Sequence, residues 1–314
     1  MNQKRMRKPG RNYTVELWRF IFCIVVLGFH FCAKTNTPFL GAGYLAVEFF
    51  FVLSGYGIFF YYSKYMQGEK ISMKWYRYGH YIGKRLLELY PLYLLSLIAM
   101  LLFVACSQKW NMSQLFAYMK NGWAEFFLFQ CGPLARRVLI VPHWYVAALF
   151  WASLAVLFLL MIGGKCVRYV ICPICAVVIY VYYYNLVGKI DLTYSYSAIL
   201  RAAAGLMSGV FLGGVIDILR RKEISISKEK RKCLYVIGNL LFVMALVFMM
   251  WGKRASFDFF LVALLFVALF LTFLAGDFMD EKKKALFERL SSWTYPIYLF
   301  QMPVLELLFW VINK

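Results

Sequence analysis

The sequence describes an all-α polytopic bundle built across a lipid bilayer, with nine to ten spans and a cytoplasmic N-terminus. Three observations lead there. Of 314 residues, 63% are apolar, 20% aromatic and only 16% charged, with a mean hydropathy of +0.66. Soluble domains average ~45–50% apolar and ~25% charged, an excess that one packed core cannot absorb. The apolar residues also fall in runs of about 20, the length of helix that crosses ~30 Å of hydrocarbon. Finally, the net charge of +20 is gathered between alternate runs, as in basic cytoplasmic loops. A basic soluble protein would suggest nucleic acid, but a nucleic-acid face needs a polar surface to carry its cations, so no such partner is expected.

Nine runs are long enough to span: 15–33, 43–62, 87–106, 144–162, 167–187, 196–217, 233–251, 256–276 and 293–312. The first follows a basic stretch, Met1 to Arg11, without a small-residue cleavage site, so it reads as a retained span. The last holds Pro296 and Pro303, which lipid-buried helices tolerate when neighbours satisfy the freed carbonyl. A tenth patch, Trp123 to Cys131, is too short and reads as a re-entrant or interfacial helix at the outer face. With the N-terminus inside, lysine and arginine divide 24 inside to nine outside. The inner set includes Lys4, Arg5, Arg7 and Lys8, and the outer set includes Arg136, Lys253, Arg254 and Lys314. That asymmetry is the one the positive-inside rule expects. Arg220 to Lys232 and Asp280 to Lys284 read as solvated cytoplasmic loops. No linker or repeat interrupts 1–314, which reads as a single membrane-embedded domain without a fused extracytoplasmic one. The location expected is the cell (plasma or inner) membrane, multi-pass.

The eight cysteines lie mostly in apolar runs as small buried hydrophobes. Cys172 and Cys175 have redox spacing but no second pair for zinc, and no metal site is expected. There is no Gly-rich nucleotide loop and no nucleophile elbow.

Charged groups inside spans cost ~2.5–3.5 kcal/mol at the helix centre, so each is a functional candidate. In the first span Arg19 and His30 are eleven residues apart; at 100° per residue they share one face, ~16 Å apart along the axis. Glu16 and Cys23 fall near the same stripe. His30 admits two readings, a structural histidine bonded to a neighbouring helix or a base deep in the bundle. Arg19 is either an interfacial side chain paired with Glu16 or the cationic mouth of a path toward His30, an arrangement suited to an anionic cytoplasmic donor. Lys84 and Arg85 read as positive-inside anchors or, beside Arg19, as a phosphate-binding cluster. Glu48 lies at the depth of His30 and is a candidate to orient its ring. Arg201 either binds an extracytoplasmic acceptor or pairs with an acid. His143 opens its span in an aromatic belt, where a structural role is favoured. His80 lies in a polar loop and is assigned no chemistry. Ser54 and Gly55 allow close helix contact.

Arg19 and His30 form an R-x10-H pair. Gly41 to Tyr56, with its Val47-Glu48-Phe49-Phe50-Phe51-Val52-Leu53-Ser54-Gly55-Tyr56 block, follows, then Arg85 to Tyr93, His143-Trp144-Tyr145, and Ser292 to Gln301. Together these resemble the integral-membrane acyltransferase 3 family over essentially the whole chain. The resemblance implies a bundle of about ten helices that takes an acyl group, commonly acetyl, from cytoplasmic acyl-CoA and delivers it to a hydroxyl of a cell-surface carbohydrate. It implies that Arg19 and His30 are the essential pair, with acyl-CoA as donor substrate, no metal, and the bilayer and a carbohydrate as partners. Arg85 matches the first arginine of the family's R-x2-R pattern, whereas the second position here is Glu88, so a two-arginine clamp is incomplete and Lys84 offers only a point charge. Direct transfer to the carbohydrate and hand-over to a separate extracytoplasmic protein both remain open. The rival readings are a multi-span exporter or flippase of a surface glycan, against which no paired broken helices are found, and a non-catalytic sensor or partner subunit.

Overall fold

The computed structural model describes residues 11–133, 137–193, 195–222, 226–252 and 257–313. Lys4, Arg5, Arg7, Lys8, Arg136, Lys253, Arg254 and Lys314, counted above toward the charge asymmetry, lie outside the described residues. Among those described there is no strand, and eleven α-helices follow one another: α1 Tyr13–Lys34, α2 Ala46–Tyr65, α3 Ile71–Ser107, α4 Met112–Phe126, α5 Trp144–Cys166, α6 Cys172–Val187, α7 Ser195–Arg221, α8 Lys228–Trp251, α9 Phe257–Ala275, α10 Glu281–Ser292 and α11 Thr294–Ile312. Polar caps start several of them. Asn12 accepts from the Val15 amide before α1, Ser227 from the Lys230 amide before α8, and Asn111 with Gln114 closes a capping box on α4. Each supplies a partner to an amide that the first helical turn leaves orphaned.

Among the described residues, eight stretches are long and apolar enough to cross a bilayer. One, Val141–Val187, holds two crossings. α5 starts with Trp144 beneath the Arg201 guanidinium, 5.1 Å from the ring centroid. At Gly164 the backbone takes φ 49° and ψ −115°, a conformation strained for residues bearing a Cβ. Arg168 and Tyr169 then meet α7 at Gly214, near its C-terminal end, and Tyr183 returns to donate to the Ser197 carbonyl (2.6 Å) at its start. The chain therefore descends α5, reverses and climbs α6, which makes nine crossings among the described residues.

Three segments differ from the sequence expectation. The run 87–106 is only the apolar half of α3, whose 37 residues extend ~55 Å at 1.5 Å each. Its polar half, with His80, is helix rather than loop: the helix runs on past the apolar layer through Gly79 and Gly83, held where the Tyr61 hydroxyl donates to the Arg77 carbonyl (2.7 Å) and the Tyr78 hydroxyl to the Leu154 carbonyl (3.2 Å). Asp280 to Lys284 is likewise no loop but the N-cap and first turn of α10, which lies under α1 where Arg11 pairs with Glu288 and donates to Ser291. Within Arg220 to Lys232, α7 and α8 run to either side of residues 223–225, which are outside those described. The patch Trp123 to Cys131 begins in α4, whose fifteen residues are too few to span.

Candidate active site

Helices α1, α2, α3, α5 and α11 enclose a cavity of about 420 Å³. At the basic end of the bundle its lining brings Glu16 and Arg19 of α1 to Arg85 and Glu88 of α3; deeper, Cys23, Tyr145 and Tyr298 line it. Local helix geometry sets each group. Arg19 Nη1 donates to Glu16 Oε2 three residues earlier (2.8 Å), and Arg11 Nε donates to the other oxygen of that carboxylate (3.2 Å). Arg85 Nε donates to the Tyr81 hydroxyl one turn back (3.0 Å) and its Nη1 to Glu88 Oε2 (3.4 Å). These i,i+3 and i,i+4 contacts hold both guanidinium groups in place before any ligand binds. Two arginines against two carboxylates leave this wall near neutral, but its hydrogen-bonding capacity is not used up: Arg19 Nε and Thr294 Oγ1 are buried without a partner among the described residues.

Of the residues singled out by sequence, Arg19, Arg85 and Glu16 share the cavity. Lys84 does not. It sits 100° around α3 from Arg85, its side chain is 55% exposed, and it pairs with Glu88 (3.6 Å). His30 is outside the lining too, seven residues or ~10 Å along α1 beyond Cys23, packed edge-on against Phe29 with 5.1 Å between ring centroids. Asp191, in the α6–α7 connection, is within electrostatic reach of it.

Glu48 corrects an expectation. Its carboxylate is committed to Arg201 Nε (2.6 Å) and the Tyr180 hydroxyl (2.8 Å) rather than to His30. Both charged residues are fully buried, and Arg201 also donates to the Tyr44 carbonyl (3.3 Å) and lies over Trp144. Of the two roles open to Arg201, the structure has it pairing with an acid. Mutual neutralisation is the physical reason: an isolated buried charge is far costlier than a bonded pair.

A second buried polar cluster went unread in the sequence. In the last turn of α4, the Glu125 carboxylate accepts from the amides of Leu139 (2.6 Å) and Ile140 (3.0 Å), and its backbone carbonyl accepts from the Tyr93 hydroxyl (2.6 Å). Gln130 donates to the Tyr93 hydroxyl and the His143 carbonyl, both at 3.0 Å. Burial pushes the Glu125 carboxyl up to about 7, against the two amide bonds that favour its charge. The available signal was a single acid in an otherwise apolar patch. His143 is held by Ser96 (3.2 Å) and packs against the Tyr93 ring with 4.6 Å between centroids, while its Nδ1 is buried without a partner among the described residues. The sequence also left Tyr145, Tyr298 and Gln301 unassigned as individual residues.

The sequence model of the acyltransferase 3 family, described as an acyltransferase domain, matches residues 12–313. No curated protein and no solved structure matches the chain.

Proposed function

The chain belongs to the acyltransferase 3 family, and from that premise we propose that this membrane acyltransferase moves an acyl group, acetyl in the simplest case, from cytoplasmic acyl-CoA to a hydroxyl of an extracytoplasmic or lipid-linked carbohydrate. The observation that carries the reading is the cavity itself: Arg19 and Arg85 meet at its basic end, and the α1 stripe that lines it continues to His30. Its volume of about 420 Å³ lies within the ~300–1,000 Å³ of small-molecule sites. That suits an extended arm inside the bundle with the nucleotide left at the mouth.

Arg19 and Arg85 bind the donor phosphates through guanidinium forks, which match phosphate oxygens better than a lysine does. Binding requires both to relax their bonds to Glu16 and Glu88. The apolar and aromatic walls formed by Leu53, Tyr145 and Tyr298 exclude water from the thioester arm. His30 accepts the proton of the incoming hydroxyl, a role an imidazole fills because it is largely neutral near pH 7. Arg201 and Glu48 are scaffold, holding α2 to α7 around the site. The location we propose is the cell membrane, with the basic end cytoplasmic and either the carbohydrate or a separate extracytoplasmic protein as the receiving partner.

The test is donor turnover by purified protein in nanodiscs, following free thiol release from acetyl-CoA. His30→Ala should abolish release while its melting temperature and acetyl-CoA binding stay near wild type, and Arg19→Ala should raise the donor KM at least tenfold. Normal release by His30→Ala would refute the assignment.

A further inference from the structure

Gln301 is a buried amide whose hydrogen bonds are missing. Its residue is 3% exposed, in the middle of α11, and neither Oε1 nor Nε2 has a partner among the described residues. Such a group costs free energy unless a partner arrives from elsewhere.

Its place in the bundle says where that partner would lie. α1 and α11 run parallel and in step: the Cys23 thiol donates to the Thr294 carbonyl (3.2 Å), and near the far end Lys34 pairs with Glu306 (2.6 Å). Seven residues beyond Cys23 is His30, and seven beyond Thr294 is Gln301. Seven residues turn a helix through 700°, within 20° of two full turns. His30 and Gln301 therefore occupy, two turns higher, the seam that Cys23 and Thr294 form at the cavity. Tyr298, which lines the cavity, is one turn below Gln301. The His30 ring makes no hydrogen bond among the described residues either.

The geometry points to Gln301 Nε2 as the hydrogen-bond donor to the acyl carbonyl oxygen during transfer, an inference that rests on the reading of His30 as base. The acceptor oxygen bonds to the carbonyl carbon as its proton passes to His30. The carbonyl electron pair moves onto oxygen, where the Gln301 N–H stabilises the charge. Collapse breaks the C–S bond, and the departing thiolate takes the proton back from His30. A preorganised donor of this kind in a dry site accounts for ~10²–10³ in kcat.

The discriminating variant is Gln301→Met, which keeps the shape and removes both polar atoms. It is compared with wild type and His30→Ala in nanodiscs, by thiol release from acetyl-CoA with water standing in as acceptor. The expected result is a melting temperature at or above wild type, because an unbonded amide has been removed, an acetyl-CoA KM within twofold, and kcat about 100-fold lower. A merely structural amide would not divide kcat from KM in this way. Should Gln301→Met fold poorly, Gln301→Asn, which withdraws the amide by one methylene, is read on the same scale. If kcat stays within threefold of wild type while His30→Ala is inactive, the inference about Gln301 fails and the function stands. If wild type releases thiol no faster than His30→Ala, the reading of the site fails and takes the inference with it.

Discussion

Arg19 and Arg85 were visible as charges in or beside apolar runs, but what each does was written in residues far from it. Glu48 shows the limit most clearly: depth along its own span put it level with His30, yet its partner is Arg201, 153 residues on. Depth is readable from 1.5 Å per residue; azimuth toward a particular neighbour is not, because it depends on which helices pack together. Glu125 gives a residue-scale prediction. Its carboxyl is raised from the ordinary carboxylate range to about 7 in the folded protein, so between pH ~4.5 and 7 the unfolded chain has lost a proton that the native state keeps. Stability is therefore complete at the acid side of that window and falls as pH rises through it, by on the order of 3 kcal/mol. Thermal unfolding in nanodiscs should show a melting temperature that declines from pH 5 to pH 8 in wild type and a flatter profile in Glu125→Gln. Equal slopes would mean that this carboxyl is not the titrating group.

At the scale of elements, apolar runs and charge placement were enough to locate every crossing, since both signals arise from the bilayer and not from the fold. Where the bilayer stops constraining the chain, the reading lost accuracy. The polar half of α3 and the whole of α10 are helices held by contacts to other elements outside the apolar layer, the Tyr78 hydroxyl to the Leu154 carbonyl and Arg11 to Glu288 and Ser291, where hydropathy carries no information. The tightest seam is between α2 and α7. A Cβ added to Gly209 would stand 1.9 Å from the Val52 carbonyl oxygen, and one on Gly55 would stand 2.0 Å from that of Leu206. Without a hydrophobic drive between helices in lipid, such backbone proximity is what packing has to offer. Gly209→Val should thus separate the two helices and expose the Arg201–Glu48 pair, with a melting temperature at least 10 °C lower and poor recovery of folded protein by size-exclusion chromatography. A surface change such as Leu240→Val should leave both unaltered.

For the whole molecule, the nine alternating crossings among the described residues put the N-terminal end of α1, the polar half of α3, the facing ends of α7 and α8 and the whole of α10 on one side, and the His30 end of α1 on the other. Three exposed cysteines test that layout: Cys106 is at the far end of α3, while Cys166 and Cys233 belong to the basic side. In intact cells a membrane-impermeant maleimide should label Cys106 alone, and Cys166 and Cys233 only after permeabilisation; the reverse pattern would invert the orientation. The sequence by itself determined that this is a helical membrane bundle, where its spans lie, which end is basic and, through its ordered motifs, its family. Composition, run length and charge asymmetry are set by the solvent on each side of the chain, so they are local and additive. Only the tertiary structure decided that Arg19 and Arg85 share a cavity, that Arg201 neutralises Glu48, and that His143 bonds Ser96. Those are pairings between helices far apart in sequence, and they follow from how close-packed side chains can interlock, a property that no single run of residues contains.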